Sequence, residues 1–481
     1  MRLKRPAAII NRMKKLLTLA LAFLSARADA ADVFLEKPYL QLGNSPKLAE
    51  SLKLLWHTAD EDAAWTVEVR TAKDQQWRAM ATPAAQRIAV KTIAPHRVYR
   101  AQLTGLIPGE EFHYRVLKSG VSVFESGGRA RKTAGQAQRF VLFGDCAQDT
   151  PAERAVAYQA SLAHPDFLFI TGDIVYSNGR ISEYRDKFFP VYNTDHADAA
   201  TGAPLLRSVP FIAAPGNHDT ALRDFDKFPD ALAYFLYWDQ PLNGPSPVPG
   251  QDGTTHPLNG SAEVRSAFLD AAQSRYPNMA NFSFNYGNAH WTVLDSNHYM
   301  DWTNPTLRDW VAKDLASAKD ATWRFVAFHH PGFNSSKEHL TDQWMRLLSP
   351  VFEEGKVDVV FAGHVHNYQR TFPLTFVPKP DQDGHAVGPK GEVAGDWKLD
   401  RSFGDGQAMG PRGVIYIISG GGGADLYNPE QQGNPSSWQP FTQKYIADRH
   451  SFSVVDIDGK HFSLRQISDG GVQVDLFRLT K

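Results

Sequence analysis

The chain has 481 residues, of which 42% are hydrophobic and 21% are charged, as in an ordinary globular protein with room for two or three domains. The formal net charge of −1 excludes a global attraction to nucleic acid or to an anionic membrane. Cys146 is the single cysteine, which excludes an internal disulfide.

The N-terminal 30 residues have the pattern of a secretory signal peptide. Arg12, Lys14 and Lys15 precede a short apolar run at residues 16–24, and small residues around Ala30 offer a cleavage position. The apolar run is too short to span a bilayer comfortably, and no later stretch predicts a membrane span. We therefore expect export to the periplasm or the cell exterior and removal of residues 1–30.

The next hundred residues alternate apolar and polar side chains as β-strands do. Four such runs lie at residues 52–56, 65–70, 98–103 and 112–116, with turn signals between them. This spacing predicts a small β-sandwich over residues 31–135, followed by a polar linker and a second domain over residues 136–481.

Two helix starts stand out in the second domain. Thr150-Pro151 combines an N-cap with a proline at the first helical position, and Asn304-Pro305 opens a helix with one apolar face. Two segments break the alternation of strand and helix, residues 219–281 and 371–412, and we interpret them as walls of a substrate site. Gly420 to Gly423 follow a strand, and a tight sheet corner is favoured there over a phosphate-binding loop.

Five strand-like runs end in residues that bind metals well. They lie at residues 140–145, 167–173, 211–219, 325–331 and 361–368. The mixture of carboxylate, amide oxygen and imidazole suits one hard and one borderline metal ion. Tyr176, three residues after Asp173, adds a phenolate that suits Fe(III).

This ordered series resembles the calcineurin-like metallophosphoesterases and, within them, the purple acid phosphatases. The motifs that carry the resemblance are Gly144-Asp145-Cys146-Ala147, Gly172-Asp173-Ile174-Val175-Tyr176, Gly216-Asn217-His218, Val326-Ala327-Phe328-His329 and Gly363-His364-Val365-His366. Ala147 departs from the family pattern, which has glycine there. The departure concerns the tightness of that turn and leaves Asp145 as a predicted ligand.

The resemblance implies a centre of two metal ions. One ion, Fe(III), would be bound by Asp145, Asp173, Tyr176 and His366. The other ion, Fe, Zn or Mn, would be bound by Asp173, Asn217, His329 and His364. For Tyr176 the alternative is a packed side chain whose hydroxyl bonds to backbone, and Cys146 is expected to be a buried apolar residue.

The resemblance also implies roles toward the substrate. His218 would contact it together with Asn217 and would act as the general acid for the leaving group, although a role in orienting the ligands stays open. His339 stands where the family has a substrate-contacting histidine, and a solvated loop histidine is the alternative. His330, beside a predicted ligand, is expected to be a packed or hydrogen-bonded neighbour.

The fold class implied is α+β. A fibronectin type III-like sandwich at residues 31–135 would precede a four-layer α/β/β/α domain with a central pair of sheets. Residues 103–112 resemble the corner of a fibronectin type III domain, with Phe112 in place of its usual tyrosine.

The function implied is an exported phosphoesterase that hydrolyses small phosphate monoesters by direct attack of a metal-bound hydroxide. A phosphodiesterase or nucleotide-cleaving enzyme on the same site is the nearest alternative, because metal ions do not recognise the leaving group. A binding protein with a vestigial metal domain would require missing ligands. A two-metal peptidase would use more carboxylates than these motifs supply.

Overall fold

The structure is a computed structural model that describes residues 33–220, 224–247, 252–404 and 408–481. The predicted signal peptide, residues 1–30, lies outside the described residues. Within the part of the chain that is described, no helix is long and apolar enough to cross a membrane.

The chain alternates strands with short helices. The strands are β1 (Glu36–Gln41), β2 (Leu52–Ala59), β3 (Trp65–Thr71), β4 (Arg78–Ala79), β5 (Ala84–Ile88), β6 (His96–Leu103), β7 (Glu111–Lys118), β8 (Val121–Arg129), β9 (Gln138–Phe143), β10 (Phe167–Ile170), β11 (Phe211–Ala213), β12 (Phe282–Tyr286), β13 (Ala289–Val293), β14 (Trp323–Ala327), β15 (Val359–Ala362), β16 (Tyr368–Thr371), β17 (Leu374–Pro378), β18 (Gly395–Leu399), β19 (Ala408–Met409), β20 (Ile415–Ser419), β21 (Thr442–Ile446), β22 (Ser451–Asp458), β23 (His461–Ser468) and β24 (Gln473–Thr480). The α-helices are α1 (Pro151–Leu162), α2 (Ile181–Glu183), α3 (Phe189–Tyr192), α4 (Asn217–Thr220), α5 (Tyr234–Tyr237), α6 (Ala262–Ala272), α7 (Pro305–Ser317) and α8 (Ser349–Glu354).

Two large sheets face each other and enclose the central core. The first has the strand order β19-β24-β23-β22-β9-β10-β11-β1-β2-β6-β5, and the second has the order β12-β13-β14-β15-β20-β16-β21. Both sheets contribute large apolar side chains to the space between them, with Trp291 stacked on Phe169 at a ring distance of 5.2 Å. Helix α1 covers the outer face of the first sheet, and α7 and α8 cover the second. The result is a mixed α/β fold with helices outside a pair of sheets.

The N-terminal region forms a sandwich of its own. Strands β1, β2 and β6 face a separate sheet of order β4-β3-β7-β8 across an apolar core, in which Trp56 and Tyr99 stack at 5.3 Å. The four predicted strands are present. However, β1 also pairs with β11 in parallel, Gln41 opposite Phe211, so one N-terminal sheet continues into the first large sheet. The fibronectin type III assignment and the boundary at residue 135 stay predictions.

The two predicted helix starts are confirmed. The Thr150 side chain accepts the amide hydrogen of Glu153 at the start of α1, and the Asn304 side chain accepts that of Thr306 at the start of α7. Each cap satisfies an amide that has no partner inside its helix.

The two long insertions differ from each other. Most of residues 231–238 are buried aromatic or aliphatic side chains of the core under the first sheet, so this part of the first insertion is not the substrate wall that its composition predicted. Its aromatic content serves packing. The second insertion forms the hairpin β17–β18, and its residues 387–391 lie beside Trp344.

Candidate metal centre

The predicted ligands follow strands that run in the same direction. Strands β9, β10 and β11 are parallel neighbours in the first sheet, and β14 and β15 are parallel neighbours in the second. Because the carboxyl ends of parallel strands meet at one edge, the turns after them come together there. The predicted ligands that are buried at this edge are Asp145, Asp173, Tyr176, His329, His364 and His366.

His329 lies at the centre of the first group of donor atoms. Its Nε2 atom is 3.3 Å from Asp173 Oδ2, 3.0 Å from Asn217 Oδ1 and 4.0 Å from Asp145 Oδ1. Four turns of the chain thus bring two carboxylates, an amide oxygen and an imidazole within reach of one ion.

Tyr176 and His366 form the second group around Asp145. The Tyr176 hydroxyl donates to Asp145 Oδ1 at 3.2 Å and lies 3.0 Å from His366 Nε2, which is 3.5 Å from the same carboxylate oxygen. The Tyr176 hydroxyl therefore faces the predicted ligands, whereas the packed alternative would have bonded it to backbone.

Each of the three histidines has one ring nitrogen held by a protein acceptor. His329 Nδ1 bonds the Thr171 carbonyl at 2.8 Å, and His366 Nδ1 bonds the Asp425 carbonyl at 2.6 Å. His364 Nε2 lies 3.0 Å from Asp342 Oδ2. Such partners fix the ring orientation of metal-binding histidines and leave the other nitrogen for an ion.

The backbone of the ligand turns is strained. Asp145, Asp173 and His364 have φ angles of 59°, 50° and 69°, in the left-handed region that side chains other than glycine seldom adopt. The Asp145 carboxylate accepts the His364 amide hydrogen at 2.9 Å, which ties two of these turns together. A β-carbon on Gly363 would lie 2.7 Å from Asp145 Oδ2, so this close approach requires glycine.

The carboxylates and imidazoles shift each other's pKa. Burial raises the pKa of Asp173, but the neighbouring His329 and His218 outweigh it and hold this pKa well below its usual range. Burial lowers the pKa of His329, but Asp173 raises it to about 9. Burial lowers the pKa of His364 to about 4. Asp173 is therefore deprotonated beside the His329 imidazole, whose proton a metal ion would replace on binding.

His218 lies at the open side of the centre. Its amide donates to Asp173 Oδ1 at 2.8 Å, and its Nδ1 atom bonds the Ser177 carbonyl at 2.8 Å. The other nitrogen, Nε2, is 3.9 Å from Asp173 Oδ2, and the side chain is 30% exposed. This nitrogen faces the carboxylates and remains accessible from solvent.

His339 is also at the rim, with 32% of its side chain exposed. Its ring lies 3.8 Å from the His364 ring, and its Nδ1 atom is 3.1 Å from Asp342 Oδ2. It belongs to the wall of the site and is not a free loop residue. His330 is buried and its Nδ1 atom bonds the Ser296 hydroxyl at 3.0 Å, as expected of a hydrogen-bonded neighbour.

The departure at Ala147 is accommodated without strain. Ala147 pairs with Val175 in a parallel bridge and is not among the residues with positive φ, so this turn has no need of glycine. Cys146 is buried, and its thiol donates to the Ile174 carbonyl at 3.4 Å, away from the metal donors. The Gly420 and Gly422 amides donate to the carbonyls of Asn367 and Gly144, as in a tight sheet corner.

The structure adds residues that the sequence did not single out. Asp342 lies between His339 and His364, and the Tyr427 ring stacks on His366 at 4.0 Å. The Ser296 hydroxyl accepts the amide hydrogens of His329 and His330. Asp219 accepts the amides of Ile174 and Gly216, and burial raises its pKa to about 8. Only Asp219 had a signal in the sequence, since it follows the Asn217-His218 pair.

Comparison with known proteins agrees with this geometry. Residues 138–368 match the family described as calcineurin-like phosphoesterase. The chain is 24% identical over 418 residues to "Probable inactive purple acid phosphatase 1" of Arabidopsis thaliana, covering 80% of this chain and 58% of that protein. It is 26% identical over 323 residues to a "Nucleotide pyrophosphatase/phosphodiesterase" of Hordeum vulgare, covering 62% of this chain and 72% of that protein.

The fold is that of a solved purple acid phosphatase. The structure of PPD1 from yellow lupin (Lupinus luteus) aligns with a TM-score of 0.62 at 19% identity, covering 93% of this chain and 75% of that chain. The chain spans about half of the length of the Arabidopsis relatives that it matches. Over residues 138–368 the chain thus resembles the calcineurin-like phosphoesterases, and its fold is like that of a purple acid phosphatase.

Proposed function

We propose that the protein is a phosphoesterase with two metal ions that hydrolyses phosphate monoesters in the manner of an acid phosphatase. The observation that carries this proposal is the convergence of Asp145, Asp173, Asn217, His329 and His366 at one sheet edge. The donor set fits two ions, because it combines carboxylate, amide, phenol and imidazole groups with each of three histidine rings already oriented.

The residues divide between two ions. Asp145, Asp173, Tyr176 and His366 would hold one ion, and Asp173, Asn217, His329 and His364 would hold the other. Bound ions would supply an activated water and would neutralise the charge that develops on the phosphoryl group.

The chain's own residues complete the chemistry. His218 would hold a proton on Nε2 and give it to the leaving alcohol, while its Nδ1–H bond to the Ser177 carbonyl fixes the ring. His339 and Asn217 would position the phosphoryl oxygens. Asp342 orients both His339 and His364, so it positions these groups without touching the reacting atoms.

A phosphodiesterase or nucleotide-cleaving activity is the second candidate. It is favoured by the likeness to the barley protein named a nucleotide pyrophosphatase/phosphodiesterase. Rates on matched monoesters and diesters, measured with metal analysis of the same purified protein, decide between the two. Bound metal without hydrolysis of any phosphate ester would contradict both.

We further propose export, because residues 12–30 show basic residues, then an apolar run and then small residues, as a signal peptide does. Mass spectrometry of the mature protein should give an N-terminus near residue 31. A cytoplasmic product that begins at Met1 would contradict this proposal.

A further inference from the structure

A cavity of about 440 Å³ lies beside the candidate metal centre. One wall is the loop from His298 to Thr303, the second is Trp344, and the third is the segment from Val387 to Gly391 of the second insertion. We propose that this cavity binds the leaving group of the substrate and takes a planar aromatic ring, as in an aryl or nucleoside phosphate ester. The inference rests on the proposed phosphoesterase function.

Trp344 links the cavity to the metal centre. Its ring lies 5.1 Å from the His330 ring, which lies 4.3 Å from the His364 ring. Its indole Nε1–H donates to the Ser296 carbonyl at 2.8 Å, and the Ser296 hydroxyl accepts the amide hydrogen of His329. The ring is thus held in a fixed orientation one side chain away from a predicted ligand.

The loop wall is fixed to the same centre from the other side. The Tyr299 hydroxyl donates to Asp295 Oδ2 at 2.7 Å and contacts Thr220 Oγ1 at 3.0 Å. Thr220 ends helix α4, which begins with the predicted ligand Asn217. The loop is thus tied, through Thr220, to the short helix that begins with the predicted ligand Asn217, and we place the leaving group of a bound ester beside it.

The third wall belongs to the second insertion. The Gln343 amide donates to the Gly391 carbonyl at 3.1 Å, which places the insertion over Trp344. Gly391 has a φ angle of 95°, and a β-carbon there would lie 2.9 Å from the Trp344 ring. This close contact with glycine holds the insertion directly against the indole.

The side chains of the cavity suit an aromatic ring more than a charged group. Tyr299 and Trp344 are half-buried and supply aromatic surface, and Val387 adds an apolar surface, whereas Trp302 is fully buried with its Nε1–H donated to the Asp295 carbonyl. Aromatic rings attract one another in offset or edge-to-face arrangements. The charged residues at the edge, Asp301 and Lys390, have opposite signs and give no preference for an anion. The cavity would recognise the ring and leave the phosphoryl group to the metal centre.

The test compares pairs of phosphate esters whose leaving groups carry the same type of hydroxyl but differ in the ring. Adenosine 5′-monophosphate and ribose 5-phosphate both release a ribose 5′-hydroxyl and differ in the base. Benzyl phosphate and cyclohexylmethyl phosphate both release a primary alcohol and differ in ring aromaticity. Because a base stacks favourably on an aromatic side chain, we expect kcat/KM to be about tenfold higher for the aromatic member of each pair. A preference in either pair supports the inference and identifies the leaving group as a nucleoside or a simple aryl alcohol.

Variants locate the preference. Val387→Asp and Trp344→Ala should each bring the ratio of kcat/KM values within a pair close to one. Trp310→Ala is the matched control, because Trp310 is also half-buried and donates its Nε1–H to a backbone carbonyl, that of Asn243, outside the cavity. It should keep the wild-type ratio. A general loss of activity lowers both kcat/KM values of a pair equally and leaves their ratio unchanged. Metal analysis of Trp344→Ala shows whether the variant still binds its metal ions.

Two results would overturn the inference. One is equal kcat/KM within both pairs for the wild-type protein, and the other is an unchanged ratio in both cavity variants. In either case ester hydrolysis itself would leave the proposed phosphoesterase function intact. Failure of the metal-loaded wild type to hydrolyse any of the four esters would instead overturn the proposed function, and this inference with it.

Discussion

Two buried tyrosine–histidine pairs in this protein have almost the same geometry. Tyr176 lies 3.0 Å from His366 Nε2 in the candidate metal centre, and Tyr237 of helix α5 lies 2.9 Å from Nε2 of His96, the first residue of β6. In both pairs the histidine Nδ1 atom faces a backbone carbonyl, of Asp425 and of Ala94. The local contacts alone do not distinguish them.

The pairs differ in the charges that surround them. Burial lowers the pKa of both histidines, but Asp145 more than offsets this effect at His366 and raises its pKa. At His96, burial and the nearby Arg185 both lower the pKa, which falls to about 4. Converging carboxylates therefore distinguish a histidine that can serve chemistry from one that is a packing residue.

The largest expected effect comes from removing a histidine at the metal centre. His218→Ala should bind both metals and slow turnover by about 10² to 10⁴-fold on alkyl phosphates, the range for a lost general acid. Activated aryl phosphates should lose less, because their leaving groups need little protonation. Steady-state kinetics on both substrate types with metal analysis checks this.

His113→Ala is the matched control for this change, because His113 is an exposed histidine on β7. Its kinetics should equal those of the wild type. Equal losses on both substrate types in His218→Ala would mean that His218 supports the transition state or the fold, and loss of metal would mean that it orients the ligands.

The loss of stability in acid that arises from His96 in the Tyr237–His96 pair should be the next largest effect. The pKa of His96 is about 4 in the folded protein against 6.5 for an unperturbed histidine, so the unfolded chain binds the proton first as pH falls. The folded state should lose about 3 kcal/mol from this residue as pH falls from 7 to below 4. Urea unfolding at a series of pH values measures the loss.

His96→Gln should flatten this pH dependence, because glutamine does not titrate. The variant should keep wild-type activity at neutral pH, since His96 lies outside the metal centre. An unchanged slope of unfolding free energy against pH in His96→Gln would mean that other groups cause the acid sensitivity, and the comparison of the two pairs would fail.

The smallest expected energetic effect comes from deleting one hydroxyl in each pair. Tyr237→Phe should cost about 1 kcal/mol of unfolding free energy, the usual value of one hydrogen bond, and leave the absorption spectrum unchanged. Tyr176→Phe should remove the visible absorption of an iron-loaded protein, since a phenolate bound to Fe(III) gives that band. Chemical unfolding and visible spectra of both variants test the pair.

Two results bear on the iron assignment. A colourless wild-type protein that contains ferric iron would contradict Tyr176 as a ligand. An active protein without iron would favour a phosphoesterase with Mn or Zn at both positions.

The sequence by itself determined the elements that carry the site. Asp145, Asp173 and His329 each lie two or three residues after the end of an apolar strand, so the strand pattern and the polar residue that follows it were sufficient to find them. The starts of α1 and α7 were equally local, because a cap and its amide lie within three residues. Contacts between neighbours in the chain leave a pattern that the sequence alone shows.

Only the tertiary structure decided which distant residues complete the site. Asp342 reaches His364 from 22 positions away, and Tyr427 stacks on His366 from a different part of the chain. The aromatic residues 231–238 predicted a wall and became core, because composition does not say which face they pack against. Packing between segments far apart in sequence has no periodic signal, so the sheets had to be assembled before these partners could be identified.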